Sequence, residues 1–128
     1  MKRAGLAGAL ADTAGLLVFT AVGIAMHGAG FTAGPILRNV VPILGVWFLL
    51  APVTGVYRTP GWRSLLAHWA VALPLGVAVR QWWVGRLISR ATVAFLIASL
   101  ILTLAILVAG RLLLWLGSRM RPTSGAAA

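Results

Sequence analysis

The chain has no cysteine and a single acidic residue, Asp12, among 128 positions. Without cysteine there are no disulfides, no thiolate metal sites and no cysteine nucleophile. With one carboxylate there are no paired acids for general acid–base work, and a cluster of metal ligands is not expected. Neither a nucleophile elbow nor a phosphate-cradling glycine loop appears. The two histidines, His27 and His68, fall near opposite ends of the predicted membrane crossing, so a haem held between them is not expected either. Catalysis would have to rest on Asp12, these histidines and scattered Ser and Thr. No enzyme activity, metal or cofactor is therefore expected.

Charge of any sign is scarce. Only 9% of residues are charged and 61% are hydrophobic, against roughly 25% charged in a soluble domain, whose surface must be solvated. Most of the outer surface must then face lipid. The little charge present is one-sided: eleven Lys and Arg against one acid, a formal net charge of +10. Such an excess would raise nucleic-acid binding in a soluble protein. Here the cations fall between long apolar runs and form no basic patch interleaved with aromatics. They read as membrane-flanking anchors, which makes anionic lipid head groups the expected partner and excludes nucleic acid.

About 20 apolar residues are needed to cross the hydrocarbon core as a helix. Four segments qualify, at about 5–26, 36–56, 65–83 and 92–116. None alternates apolar with polar residues as a lipid-spanning barrel strand does. The expected fold is one all-α domain over 1–128, an integral membrane bundle of four transmembrane helices. Its connections are short and rich in breakers: an uncharged, glycine-rich hairpin at 28–35, a Pro60-Gly61 turn, and the link at 85–90. The tail at 122–128 is small, polar and expected to be disordered. Lys2 and Arg3 before an apolar stretch resemble a signal peptide, but the stretch is too long and contains Asp12, so a retained first helix fits better.

With four crossings, one side holds Lys2, Arg3, Arg58, Arg63, Arg119 and Arg121, and the other holds Arg38, Arg86 and Arg90, with Arg80 close by. Cytoplasmic loops carry the excess of Lys and Arg, so both termini are expected in the cytoplasm and the protein in the cell membrane. Tyr57, Trp62, Trp69 and Trp115 would belong to the cytoplasmic interface, Trp82 and Trp83 to the outer one. Trp47 falls mid-span, where it should pack inside the bundle and need a partner for its N–H.

Ionisable side chains at mid-span cost about 2.5–3.5 kcal/mol on insertion scales. Asp12 and Arg111 each lie about two turns inside the cytoplasmic end of their helices, so they share a depth and carry opposite charges. A pair between the first and last helices would fix their register; the functional alternative is a proton or cation on Asp12, modulated by Arg111. At the outer end His27, Arg38 and Arg80 come together with no acid. They form either a pocket for an anion or lipid phosphate, or a set of arginines that snorkel to the interface. A stripe of Gly8, Asp12, Gly15, Phe19 and Gly23 on the first helix, facing Ser99, Thr103 and Gly110 on the fourth, predicts close packing of those two helices. Pro42 and Pro74 should kink the middle helices.

The order Asp12…Phe19…Gly23…His27, Pro42…Gly45-Val46-Trp47, Pro74-Leu75-Gly76…Arg80…Gly85-Arg86 and Phe95…Gly110-Arg111 resembles the domain-of-unknown-function family 3054. The likeness covers nearly the whole chain. Ile24 departs from the pattern, standing where many members would carry an Arg, which removes a cation from the region of His27. The resemblance implies a small four-helix membrane protein and assigns no activity, while marking Asp12, His27, Arg80 and Arg111 as pattern positions. The leading functional reading is a small transporter-like or permeation protein acting as a homo-oligomer, since four short helices enclose little volume. The rival is a structural or accessory subunit that binds a partner protein or anionic lipid.

Overall fold

A computed structural model describes residues 3–59 and 61–121. The expectations placed on Lys2, Pro60 and the 122–128 tail lie outside the described residues. Among the described residues all regular structure is helical: α1 Arg3–Met26, α2 Ala33–Thr54, α3 Trp62–Trp83 and α4 Arg90–Met120. Each helix is long and apolar enough to span a membrane, with a mean hydropathy from 1.3 in α3 to 2.7 in α4. The helices begin earlier than the apolar runs suggest, and α4 ends later. Apolarity marks only the hydrocarbon crossing, whereas backbone hydrogen bonding continues into the polar turns on either side. Pro35 is tolerated in the first turn of α2, where its missing N–H would have no intrahelical partner.

Neighbouring helices pack in the order α1–α2, α2–α3, α3–α4 and α4–α1, so the up-and-down chain closes into a ring between its first and last helices. The packing is uneven. The α2–α3 contact is the most extensive and α3–α4 the least, and α4 buries only Ser99, Thr103 and Leu107. Leu16, Ile43, Trp47, Leu73, Val77 and Leu107 form the centre of the apolar core.

Polarity is arranged inside out. Asp12, Thr20, His68, Gln81, Ser99 and Thr103 are buried, while Leu10, Leu49, Val53, Ile88, Leu113 and Met120 are exposed. Such a surface suits lipid, which solvates leucine and leaves polar groups to find partners within the protein. Trp62, Trp82, Trp83 and Trp115 are exposed near helix ends, as an interfacial belt requires. Trp69 is different: it is half-buried and its indole Nε1–H donates to Thr103 Oγ1 on α4 at 3.2 Å. A polar group mid-helix on α4 gives that N–H a partner, and the ring turns inward instead of joining the belt.

Glycines set where backbones approach. A Cβ on Gly76 would lie 3.2 Å from Ile43 Cα and 3.5 Å from the Pro42 carbonyl oxygen, so α2 and α3 touch at the proline. On α1 the stripe is close-packed at one end only. A Cβ on Gly15 would meet the Ile106 side chain at 3.0 Å, whereas one on Gly23 would meet nothing within 4 Å. Gly76→Ala is therefore expected to destabilise by about 1–3 kcal/mol through overpacking against fixed backbone, and Gly23→Ala to be neutral or slightly stabilising. Thermal unfolding of the two variants in detergent checks the contrast.

Candidate functional site

The only acid of the chain sits in a closed polar clamp. Asp12 is 1% exposed. Arg111 Nη2–H donates to its Oδ2 at 2.9 Å and Arg111 Nε–H to its Oδ1 at 3.3 Å, a fork that engages both carboxylate oxygens. The guanidinium fits because residue 8, one turn earlier on the same face of α1, is glycine: a Cβ there would lie 2.7 Å from Arg111 Nη1. Close approach of helix backbones in lipid commonly depends on such small residues.

A third group completes the clamp from the other side of the bundle. The Tyr57 hydroxyl donates to Asp12 Oδ2 at 2.8 Å and accepts from Trp47 Nε1–H at 2.9 Å. Tyr57 lies beyond the end of α2, so its position depends on the turn that follows. Gly55 adopts φ 70° and its N–H bonds the Ala51 carbonyl at 3.0 Å, a left-handed helix cap that glycine enters without steric cost. The N–H groups of Arg58 and Thr59 then both bond the Gly55 carbonyl, and the compact turn carries the tyrosine back under the bundle. Trp47 is fully buried, and its N–H thus finds a partner on the residue ten positions later.

His68 extends this polar core without joining the chain of bonds. It is fully buried, packs edge-on against Trp47 with ring centroids 4.3 Å apart, and shares a 2.8 Å hydrogen bond between Nδ1 and Thr54 Oγ1. Its Nε2 has no partner among the described residues. Ser99 and Thr103, expected to face α1, are both buried, and Thr103 Oγ1 also receives the Trp69 N–H from α3.

The opposite end of the bundle is open. Arg111 opposite Asp12 sets the register of α4 on α1, and fourteen residues further along each helix Ile97 comes level with Met26, the end of α1. The seven residues of α4 before that point run on by about 10 Å at 1.5 Å per residue. With α1 finished and only the loop at 27–32 beside it, a cavity of about 920 Å³ opens between the ends of the helices. His27, Arg38 and Arg80 all line it, together with Arg86, Asn39 and Gln81, and no acid does.

Arg80 does not snorkel outward. Its Nε–H donates to Asn39 Oδ1 at 2.7 Å, an Nη1–H donates to Gln81 Oε1 at 2.6 Å, and the guanidinium stacks over Phe95, 4.4 Å from the ring centroid. Gln81, itself buried, donates onward to Thr92 Oγ1 at 3.1 Å. Arg80 is thereby fixed among α2, α3 and α4, while Arg38, Arg86 and His27 stand exposed around it. Asn39 and Gln81 escaped the sequence reading, which placed Arg86 on this side without joining it to the cluster. Two uncharged amides beside two arginines, Arg38-Asn39 and Arg80-Gln81, were the available signal.

Fold and site together define a class: an all-helical chain of four membrane-length helices, apolar outside, with its polar groups gathered at two levels within. The chain belongs to the family described as protein of unknown function (DUF3054), whose profile matches residues 9–114. That range takes in the clamp and the lining of the cavity from Phe19 to Leu102. No curated protein and no solved structure matched the chain.

The clamp makes a test available that leaves the ion pair in place. Tyr57→Phe deprives the buried Trp47 N–H of its acceptor and Asp12 of a donor, and unpartnered buried groups cost about 1–3 kcal/mol each. A lowered unfolding midpoint is expected, and Phe48→Leu, which alters only the ring stacked on Tyr57 at 6.1 Å, is expected to cost less.

Proposed function

We propose that the protein binds a small oxyanion, a phosphate or carboxylate, in the arginine-lined cavity and acts as a transporter-like membrane protein for it. One observation carries this reading: Arg38, Arg80 and Arg86 surround one opening, and the only side-chain carboxylate of the chain is held by Arg111 at the other level of the bundle. No acidic side chain lines the opening, so these cations find no side-chain counter-ion there. Guanidinium forks match the oxygens of phosphate and carboxylate, and Arg80 is already oriented by Asn39 and Gln81. Binding to a site oriented in advance loses less side-chain entropy.

On the positive-inside balance the termini lie in the cytoplasm of the cell membrane and the cavity faces the other side. The role of the protein is non-catalytic, and a pathway across the membrane forms between copies, because each bundle fills its own centre with Trp47, Leu73 and Leu16. Proton or cation transfer at Asp12 does not belong to this reading, since both its oxygens are engaged and the group is almost fully covered.

A second reading, a structural or accessory subunit, is favoured by that same covered ion pair, which needs no transported ion to explain it. The two separate experimentally. Inorganic phosphate is expected to raise the unfolding midpoint of the purified protein, and proteoliposomes are expected to take up labelled phosphate or a small carboxylate. Arg38→Gln with Arg86→Gln, both at exposed positions, should abolish both effects without changing the midpoint of the ligand-free protein. Stabilisation by a phospholipid head group alone would assign the cavity to lipid. Neither stabilisation nor flux, with a foreign subunit co-purifying in fixed ratio, would establish the accessory reading.

A further inference from the structure

A second recess lies at the other end of the bundle, where the sparse contact between α3 and α4 leaves a groove of about 960 Å³. It is floored by Arg111 and walled by the exposed Leu112, Leu113 and Leu114 on one side and Ala4 and Ala7 on the other. Arg3 and Arg121 stand at its mouth with Trp62 and Trp115. We propose that this groove holds one anionic phospholipid, its acyl chains along the leucine wall and its phosphate between Arg3 and Arg121.

Charge and polarity argue for that occupant together. The walls are apolar, so a soluble anion would gain nothing from most of the groove, whereas acyl chains match them. The mouth carries two arginines, and no acid lines any part of the recess. Trp62 and Trp115 have the amphipathic character that marks the level of lipid head groups. Gly61, the cap of α3, lines the groove and has no side chain to accept the first-turn N–H groups of that helix, so the positive end of the helix dipole lies beside it. At the inner end Arg111 keeps Nη1 without a hydrogen-bond partner among the described residues, since its bonds to Asp12 use Nε and Nη2. An occupied groove would supply the contact between α3 and α4 that the protein alone leaves thin. The site shares no residue with the outer cavity, and the inference stands whether or not that cavity binds an anion.

The test is native mass spectrometry of the full chain released from nanodiscs of phosphatidylglycerol and phosphatidylcholine with identical acyl chains. Retention of one phosphatidylglycerol per chain, roughly tenfold or more above phosphatidylcholine, is expected from two head-group cations at about 1 kcal/mol each. Arg3→Gln with Arg121→Gln should remove that preference. Gly117→Leu should remove it too, by filling the groove: Gly117 lines it, and a Cβ there meets nothing within 4 Å, so the unfolding midpoint is expected to hold. Arg58→Gln with Arg63→Gln removes two charges from the same side outside the groove and should leave retention intact. Equal retention of both lipids would overturn the proposal. So would retention unaffected by Gly117→Leu, or lost equally in the Arg58 and Arg63 variant, which would mean a diffuse attraction to the membrane surface.

Discussion

A lone carboxylate in lipid must find its partners within the protein, and most of this bundle is arranged around doing so for Asp12. Burying a charge without a partner is prohibitive, and an ion pair offsets that cost only when its geometry is good and its remaining hydrogen bonds are met. Here the fork of Arg111 and the hydroxyl of Tyr57 meet them. The consequences spread outward. Arg111 on α4 and Asp12 on α1 close the ring between the first and last helices. Gly8 must be small to admit the guanidinium. Tyr57 must fold back, so α2 must end in a left-handed glycine, and Trp47 can then lie fully buried with its N–H satisfied.

Fixing that register also decides where the bundle is open. Because α4 is held level with α1 at Asp12, its first turns outrun α1 at the far end, and the cavity of Arg38, Arg80 and Arg86 occupies the space. At the near end a groove lined by residues of α1, α3 and α4 lies beside Arg111. The two recesses differ in kind. The one at the far end presents a guanidinium oriented by the amides of Asn39 and Gln81, as a small, polar anion would require. The one at the near end pairs a cationic rim with an apolar wall, as a lipid would require. A protein with eleven cations and one acid needs anions from its surroundings, and the recesses are where its geometry would receive them.

Much of this was legible in the sequence, for physical reasons that differ by residue. The helices follow from apolar length alone. The Asp12–Arg111 pair follows from depth: each lies nine residues from the end of its helix at Arg3 or Met120, and antiparallel neighbours bring equal depths together. The requirement that Trp47 find an acceptor was readable, but Tyr57 as that acceptor was not. Its direction depends on the φ of Gly55, and a glycine in sequence does not announce which way its turn goes. Trp69 was misassigned to the interface because depth counting ignores what lies across the bundle, in this case Thr103. The small-residue stripe on α1 was read as continuous, yet of its glycines only Gly8 and Gly15 are closely packed, and a Cβ on Gly23 would meet nothing within 4 Å. His27, Arg38 and Arg80 do converge on one cavity. Arg86 was missed as a member because it belongs to a connection whose path no periodicity describes.

The most direct measurement is a double-mutant cycle on the clamp, made with Asp12→Asn and Arg111→Leu and read as unfolding free energy in a bilayer or detergent. A structural pair predicts that each single change destabilises by about 3–5 kcal/mol, the cost of stranding a buried charge. The double change should recover a large part of that loss, because no uncompensated charge remains. Additive losses, or an Asp12→Asn variant as stable as the parent, would contradict the clamp and return Asp12 to the list of groups free to bind a proton or cation.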